Sequence, residues 1–255
     1  MGWEYESVLP PGTFESYFTN PYNNKILNVS IVYEHRFAFY YWMKWTSLQA
    51  INNPPVLISL DWHQDLVHPS EDEYEELKAL NQNDYIKVGI YTAYKLSSLN
   101  HCQILAAAYL NLISDIYVLC KQKQDDYEND MFDFIDFLGN KHHVKYFYKI
   151  DEILACIKKE NIESLYFDVD LDYFTESEDP CGGDADVELI SDEEVDKIIA
   201  PHSPLMQVIL PKVIGITIAL EPEFCGGMRN SNHLFNLLDE ALFYPPLLNE
   251  NSRLR

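Results

Sequence analysis

The chain has 255 residues, enough for one large α/β domain with a substantial core, and no Gly/Ser/Pro-rich linker divides it. Its 41 acidic and 18 basic residues leave a formal charge of −23, which repels a phosphate backbone and excludes nucleic acid as an expected partner while attracting a cationic one. No run is long and apolar enough to span a bilayer, no export signal opens the chain, and the five scattered cysteines form no Cys-x-x-Cys pair, so a cytoplasmic, reducing setting is expected.

After an opening rich in Pro, Gly and Asn (Pro10-Pro11-Gly12, Asn20-Pro21, Asn23-Asn24), apolar runs of strand type alternate with helix-type segments. Residues 26–33 read as a strand, 37–50 as a helix and 55–60 as a strand. A helix at 72–81, a strand at 85–91, a helix at 100–113 and a strand at 115–120 follow. The pattern continues with a helix at 130–138, a strand at 144–150, a helix at 151–159 and a strand at 163–167. It ends with a helix at 192–200, a strand at 212–220 and a helix at 231–243. The strand runs are nearly continuous in apolar character, as in strands buried on both faces. The expected fold is therefore α/β, a three-layer αβα sandwich with a mostly parallel central sheet.

In such sheets, sites form beyond the carboxyl ends of the strands, and the conspicuous polar groups fall there. Glu34-His35 follows the first run, Asp61-Trp62-His63-Gln64-Asp65 the second, Asp168-Val169-Asp170-Leu171-Asp172 lies near the end of the sixth, and Glu221-Pro222-Glu223 follows the last. Alternate positions share one side of an extended chain, so each cluster can aim several hard ligands at one point. Carboxylates with some imidazole suit Mn²⁺, and less specifically Fe²⁺, Co²⁺ or Zn²⁺. Two such cations sharing a water would supply hydroxide at neutral pH, which is a hydrolytic device.

The order His35, Asp61-x-His63-x-Asp65, Asp168-x-Asp170, Glu221 resembles the arginase-like ureohydrolase superfamily. Glu34-His35, Asp-Trp-His-Gln-Asp, Phe-Asp-Val-Asp-Leu-Asp-Tyr-Phe and Leu-Glu-Pro-Glu-Phe-Cys-Gly-Gly are most similar to a divergent branch that includes bacterial peptide arginases. The resemblance implies two Mn²⁺ ions, one held by His35, Asp61, Asp65 and Asp168, the other by Asp61, His63, Asp168 and Asp170. It implies hydrolysis of the guanidinium of peptide-bound arginine to ornithine and urea, in the maturation of a ribosomally made precursor peptide. Asp65 would hold the attacking hydroxide and pass on its proton, and Glu221 would orient the guanidinium as a bidentate partner.

The chain also departs from that pattern. The usual Gly-Gly-Asp-His-Ser is Val32-Tyr33-Glu34-His35-Arg36 here, and Val67 stands where arginases of free arginine carry an Asn for the substrate's α-carboxylate. That loss favours a peptidyl or decarboxylated substrate. His101, and less so His68, are the candidates for the proton-shuttling histidine. Glu223 and Asp172 are expected either to orient ligands or to be solvated. The acidic stretch 176–196 is either a rim for a cationic peptide or a solvated loop, and His142-His143 is expected at the surface. Hydrolysis of a small guanidine such as agmatine, single-metal deacetylation, and metal-stabilised binding of basic peptides without turnover are the competing readings.

Overall fold

The computed structural model describes residues 9–48, 53–122, 131–177 and 187–255. In chain order the strands are β1 (Phe14–Thr19), β2 (Ile26–Val32), β3 (Val56–Asp61), β4 (Ile116–Cys120), β5 (Met131–Ile135), β6 (Lys141–Phe147), β7 (Leu165–Asp170), β8 (Thr175–Glu176), β9 (Glu188–Leu189) and β10 (Val213–Ala219). The helices are α1 (Ala38–Leu48), α2 (Glu71–Lys78), α3 (Tyr85–Tyr94), α4 (Gln103–Tyr109), α5 (Ile150–Ile157), α6 (Asp192–Ile199), α7 (Met206–Ile209) and α8 (Met228–Leu242). Among the described residues no helix is long and apolar enough to cross a membrane.

The main sheet runs β1-β2-β10-β7-β3-β4-β6-β5, with β1 and β5 antiparallel at its edges and the inner strands parallel. It separates two cores. Leu165, Phe167 and Val169 of β7 pack with Ile153, Val195, Ile199, Leu234 and Leu238 from α5, α6 and α8. Tyr166, facing the other way, packs with residues of α1, α3 and α4, including Trp42, Trp45, Val88 and Leu105. Strands covered on both faces by helices are the three-layer αβα arrangement that the apolar runs imply.

The alternation has a polar exception. Ser30 of β2, Thr217 of β10, Asp168 of β7 and Ser59 of β3 lie side by side in register across four neighbouring strands, and all are buried. Their parity puts them on the α1 face, so a row of hydroxyls and one carboxylate crosses that otherwise apolar layer.

Three stretches differ from the sequence expectation. Residues 85–94 form a helix rather than a strand: Asp84 Oδ1 caps it by accepting from Lys87 N at 3.1 Å, and Val88, Tyr91 and Thr92 are buried at helical spacing. Residues 131–135 form an edge strand rather than part of a helix, with Phe132 and Phe134 turned inward and Met131, Asp133 and Ile135 outward. Asp136 Oδ1 then takes the amides of Leu138 and Asn140 at 2.8 and 2.7 Å and closes the turn to β6. The opening segment contributes β1. His142, expected at the surface, is buried on β6, its Nδ1 2.8 Å from Ser114 O and its ring stacked on Phe134. His143, its neighbour, is partly exposed beside Asp133.

Candidate metal centre

The centre forms where β2, β10, β7 and β3 end side by side. His35 opens a 3-10 turn after β2, Glu221 follows β10, Asp170 is the last residue of β7 and Asp61 the last of β3. Asp172 sits in the 3-10 turn after β7, and His63 and Asp65 in the loop after β3.

Asp61, Asp170 and Asp172 share one arrangement, in which one oxygen is anchored by a backbone amide and the other faces inward. Asp61 Oδ1 accepts from His63 N at 2.6 Å, Asp170 Oδ1 from Asp172 N at 3.2 Å, and Asp172 Oδ1 from Trp62 N at 3.0 Å. Glu221 Oε1 accepts from His35 N at 2.8 Å. The inward oxygens surround His35 Nδ1: Asp65 Oδ2 at 2.9 Å, Asp170 Oδ2 at 3.2 Å and Asp61 Oδ2 at 3.3 Å. His35 Nδ1, Asp61 Oδ2 and Asp172 Oδ2 are buried and held in ion-pair contacts rather than in well-aligned hydrogen bonds. His63 Nδ1 lies 3.0 Å from Asp172 Oδ2, its ring edge-on to Phe224.

Three groups of potential ligands have their atoms within 4.8 Å of one another: His35, Asp61 and Asp65; Asp61, His63 and Asp172; Asp170, Asp172 and Glu221. Asp61 and Asp172 each belong to two groups, so the set is continuous. The structure thus brings together His35, Asp61, His63, Asp65, Asp170 and Glu221. It does not bring Asp168 to the same point. Asp168 lies behind His35, where Oδ2 accepts from the imidazole Nε2 and from Ser59 Oγ, both at 2.8 Å, and Oδ1 from Thr217 Oγ1. Asp172 takes the place at the centre that the sequence pattern gives to Asp168. Its signal was visible as the third Asp of the alternating run; the partners of Asp168 were signalled only by Ser59 and Thr217, two hydroxyls inside apolar strands.

The electrostatics are those of a site short of positive charge. Burial, with the charge of Asp61, pushes the Asp65 carboxyl up to about 7. Burial and neighbouring acids raise Asp170, Asp172 and Glu221 as well. Burial also works to raise Asp61, but His35 and His63 outweigh it and hold Asp61 at about 2. For His35 burial opposes protonation, and the charge and hydrogen bond of Asp168 reverse it, raising the imidazole well above its ordinary value. A divalent cation among these atoms would offset the repulsion of the crowded acids and accept their inward oxygens and Nδ1 as ligands, so the donor set fits a metal.

Asp65, Asn100 and Glu221 all have positive φ (51°, 51° and 28°), a backbone strain that clusters at functional sites. Asn100 Nδ2 donates to Glu221 Oε1 and Gln103 Nε2 to Asp65 Oδ2, contacts that no sequence motif marked. Val67 is half-exposed at the rim, and its N donates to His101 O at 2.9 Å, so the loop after β3 and the segment before α4 meet there. His101 is partly buried, which lowers its pKa and favours the neutral imidazole. Glu223 is exposed. His68 lies apart, its Nδ1 3.0 Å from Tyr109 OH and its ring among Phe132 and Phe134. Of the acidic stretch, residues 178–186 lie outside the described residues.

Fold and site together define an α/β protein with a buried carboxylate–imidazole centre able to hold metal. Compared with protein-family models and with curated proteins, the sequence matches none.

Proposed function

We propose that this chain is a binuclear Mn²⁺-dependent hydrolase of the arginase-like superfamily that converts arginine within a precursor peptide to ornithine and urea. The observation that carries the hydrolase reading is the anchoring of one oxygen of Asp61, Asp170 and Asp172 by a backbone amide while the other faces a common point. Backbone amides order these ligands before any cation arrives, and His35, Asp61, His63, Asp65, Asp170 and Asp172 would hold the metal, with Asp61 and Asp172 each belonging to two groups of donors. Cations bound there would supply a hydroxide nucleophile at neutral pH.

The chain's own groups account for the rest. Glu221, buried beside Asp170 and Asp172, orients the guanidinium and offsets its charge. Asp65, beside His35 and Asp61 at the centre, accepts a proton and passes it on. His101 at the rim delivers a proton to the leaving amine. Val67 puts an apolar group where a free amino acid would need an anchor, and a peptide-bound arginine needs none there. The acidic chain attracts a cationic peptide.

The test is mass spectrometry of arginine-containing peptides incubated with Mn²⁺-loaded protein, with urea assayed in parallel. Conversion to ornithine removes CN₂H₂, about 42 Da per site. Loss of that mass from a peptide with no turnover of free arginine or agmatine is the expected result. Turnover of agmatine alone would move the assignment to a small guanidine, and no urea from any guanidino compound would end it.

A further inference from the structure

We infer that Asn100 and Gln103 form, together with Glu221, an acceptor-lined subsite that reads the N–H groups of a guanidinium; this rests on the guanidine-hydrolase reading above. Both amides are buried, and both use their NH₂ groups on acids of the centre, Asn100 on Glu221 and Gln103 on Asp65. With a cation bound these acids would be ionised and only accept, so each amide would keep its nitrogen on the acid, as in the structure, with its carbonyl oxygen on the other arm. Those two oxygens, Asn100 Oδ1 and Gln103 Oε1, are buried without a hydrogen-bond partner. Buried acceptors are seldom left unmet, and two on one short segment beside the same centre call for a donor from outside the chain.

The donor must be rich in N–H and free of acceptors. A guanidinium answers that description with planar N–H groups and no lone pair to repel the carbonyls, whereas an acyl amide or ester would turn its own carbonyl oxygen toward them. The segment is also held in place. Arg36 Nη1 donates to Leu96 O at 2.9 Å on one side of it, and His101 O takes the Val67 amide on the other. Asn100 itself adopts positive φ, which directs its side chain back toward Glu221. The amides therefore do two jobs with their two ends: the nitrogen positions a catalytic acid, and the oxygen selects the substrate's head group.

The experiment uses Mn²⁺-loaded protein with guanidinium chloride at low concentration as calorimetric probe, and an arginine-containing peptide for kinetics. Asn100→Leu and Gln103→Met keep the volume and remove both ends of the amide; Asn100→Asp and Gln103→Glu keep an oxygen and remove only the nitrogen. The apolar pair should retain bound metal, weaken guanidinium binding about tenfold each, raise KM and lower kcat, while the acidic pair should keep guanidinium affinity and lower kcat alone. Unchanged guanidinium affinity in the apolar variants, or equal loss in both pairs, overturns the subsite while leaving the hydrolase intact. A wild-type protein that neither binds guanidinium nor releases urea brings down the underlying reading as well.

Discussion

His35 Nε2 and Asp168 Oδ2 stand 2.8 Å apart in the interior, and Ser59 and Thr217 complete the shell of Asp168. With Asp168 accepting the Nε2 proton, Nδ1 is the nitrogen that would give its lone pair to a metal at the centre. Asp168→Asn should therefore weaken divalent-metal affinity about 10–100-fold without removing a ligand. Asp172→Asn should weaken it more, because it alters a carboxylate that belongs to two groups of donors. Competition against a metal-sensitive chelator, with circular dichroism as the folding control, ranks the two. The opposite order would return Asp168 to the centre.

Which acids of the second motif lie at the centre follows from where β7 stops. Asp168, Asp170 and Asp172 alternate in sequence, so spacing alone cannot say which pair reaches the centre. Asp170 is the last strand residue and Asp172 lies in the turn beyond, whereas Asp168 is still paired in register with Ser59 and Thr217. The Asp61-x-His63-x-Asp65 motif was legible because Asp61 closes β3 and the rest is loop. The parallel sheet was legible from the continuous apolar runs, but Ile86, Val88 and Ile90 carry strand propensity inside what the buried spacing of Val88, Tyr91 and Thr92 makes a helix. Asn100 and Gln103 were illegible, since a lone amide has no pattern until a fold sets it beside an acid.

The acids of the centre set a pH dependence for the metal-free protein. Asp65 is raised from its ordinary 3.8 to about 7, by burial first and then by Asp61. A raised carboxyl binds its proton more tightly folded than unfolded, so its stabilisation is complete below about pH 3.8 and is lost as pH climbs through about 7. Asp170, Asp172 and Glu221 shift the same way, and His35 and His63, also raised, keep their contribution to higher pH. Asp61, at about 2, loses its contribution only in stronger acid. In chelator, Tm should therefore be higher near about pH 5 than near about pH 7.5, and Mn²⁺ should stabilise more at the higher pH because protons compete with it. A chelated protein that gains Tm over this interval contradicts the proposed electrostatics.

Gly215 fixes how α1 lies on the sheet. A Cβ there would stand 2.7 Å from Trp45 Cε3 and 2.8 Å from Tyr166 Cδ1. Neither ring is free to withdraw, since Trp45 Nε1 donates to Glu15 Oε1 at 2.8 Å and Tyr166 OH lies 2.9 Å from Thr46 Oγ1. Gly215→Ala should destabilise by about 1–3 kcal/mol through overpacking, read from urea midpoints at an unchanged slope. A stability equal to wild type would mean that α1 shifts freely over β10.

Arg36 ties the segment bearing Asn100 and Gln103 to the strand end that carries His35. Its Nη1 donates to Leu96 O at 2.9 Å and its Nη2 lies 2.6 Å from Glu34 Oε2, so the guanidinium spans two partners. A lysine amine can meet one of them but not both, because it lacks the fork. Arg36→Lys should leave global stability within about 1–2 kcal/mol of wild type. Amide exchange in residues 96–103 should rise well above that of the β3 and β7 amides, because the tether releases this segment without opening the core. The metal should remain bound, since every ligand stays in place, while KM for an arginine peptide rises with the loosened amides. Exchange confined to wild-type rates in residues 96–103 would show that the contact between Val67 and His101 holds the segment alone.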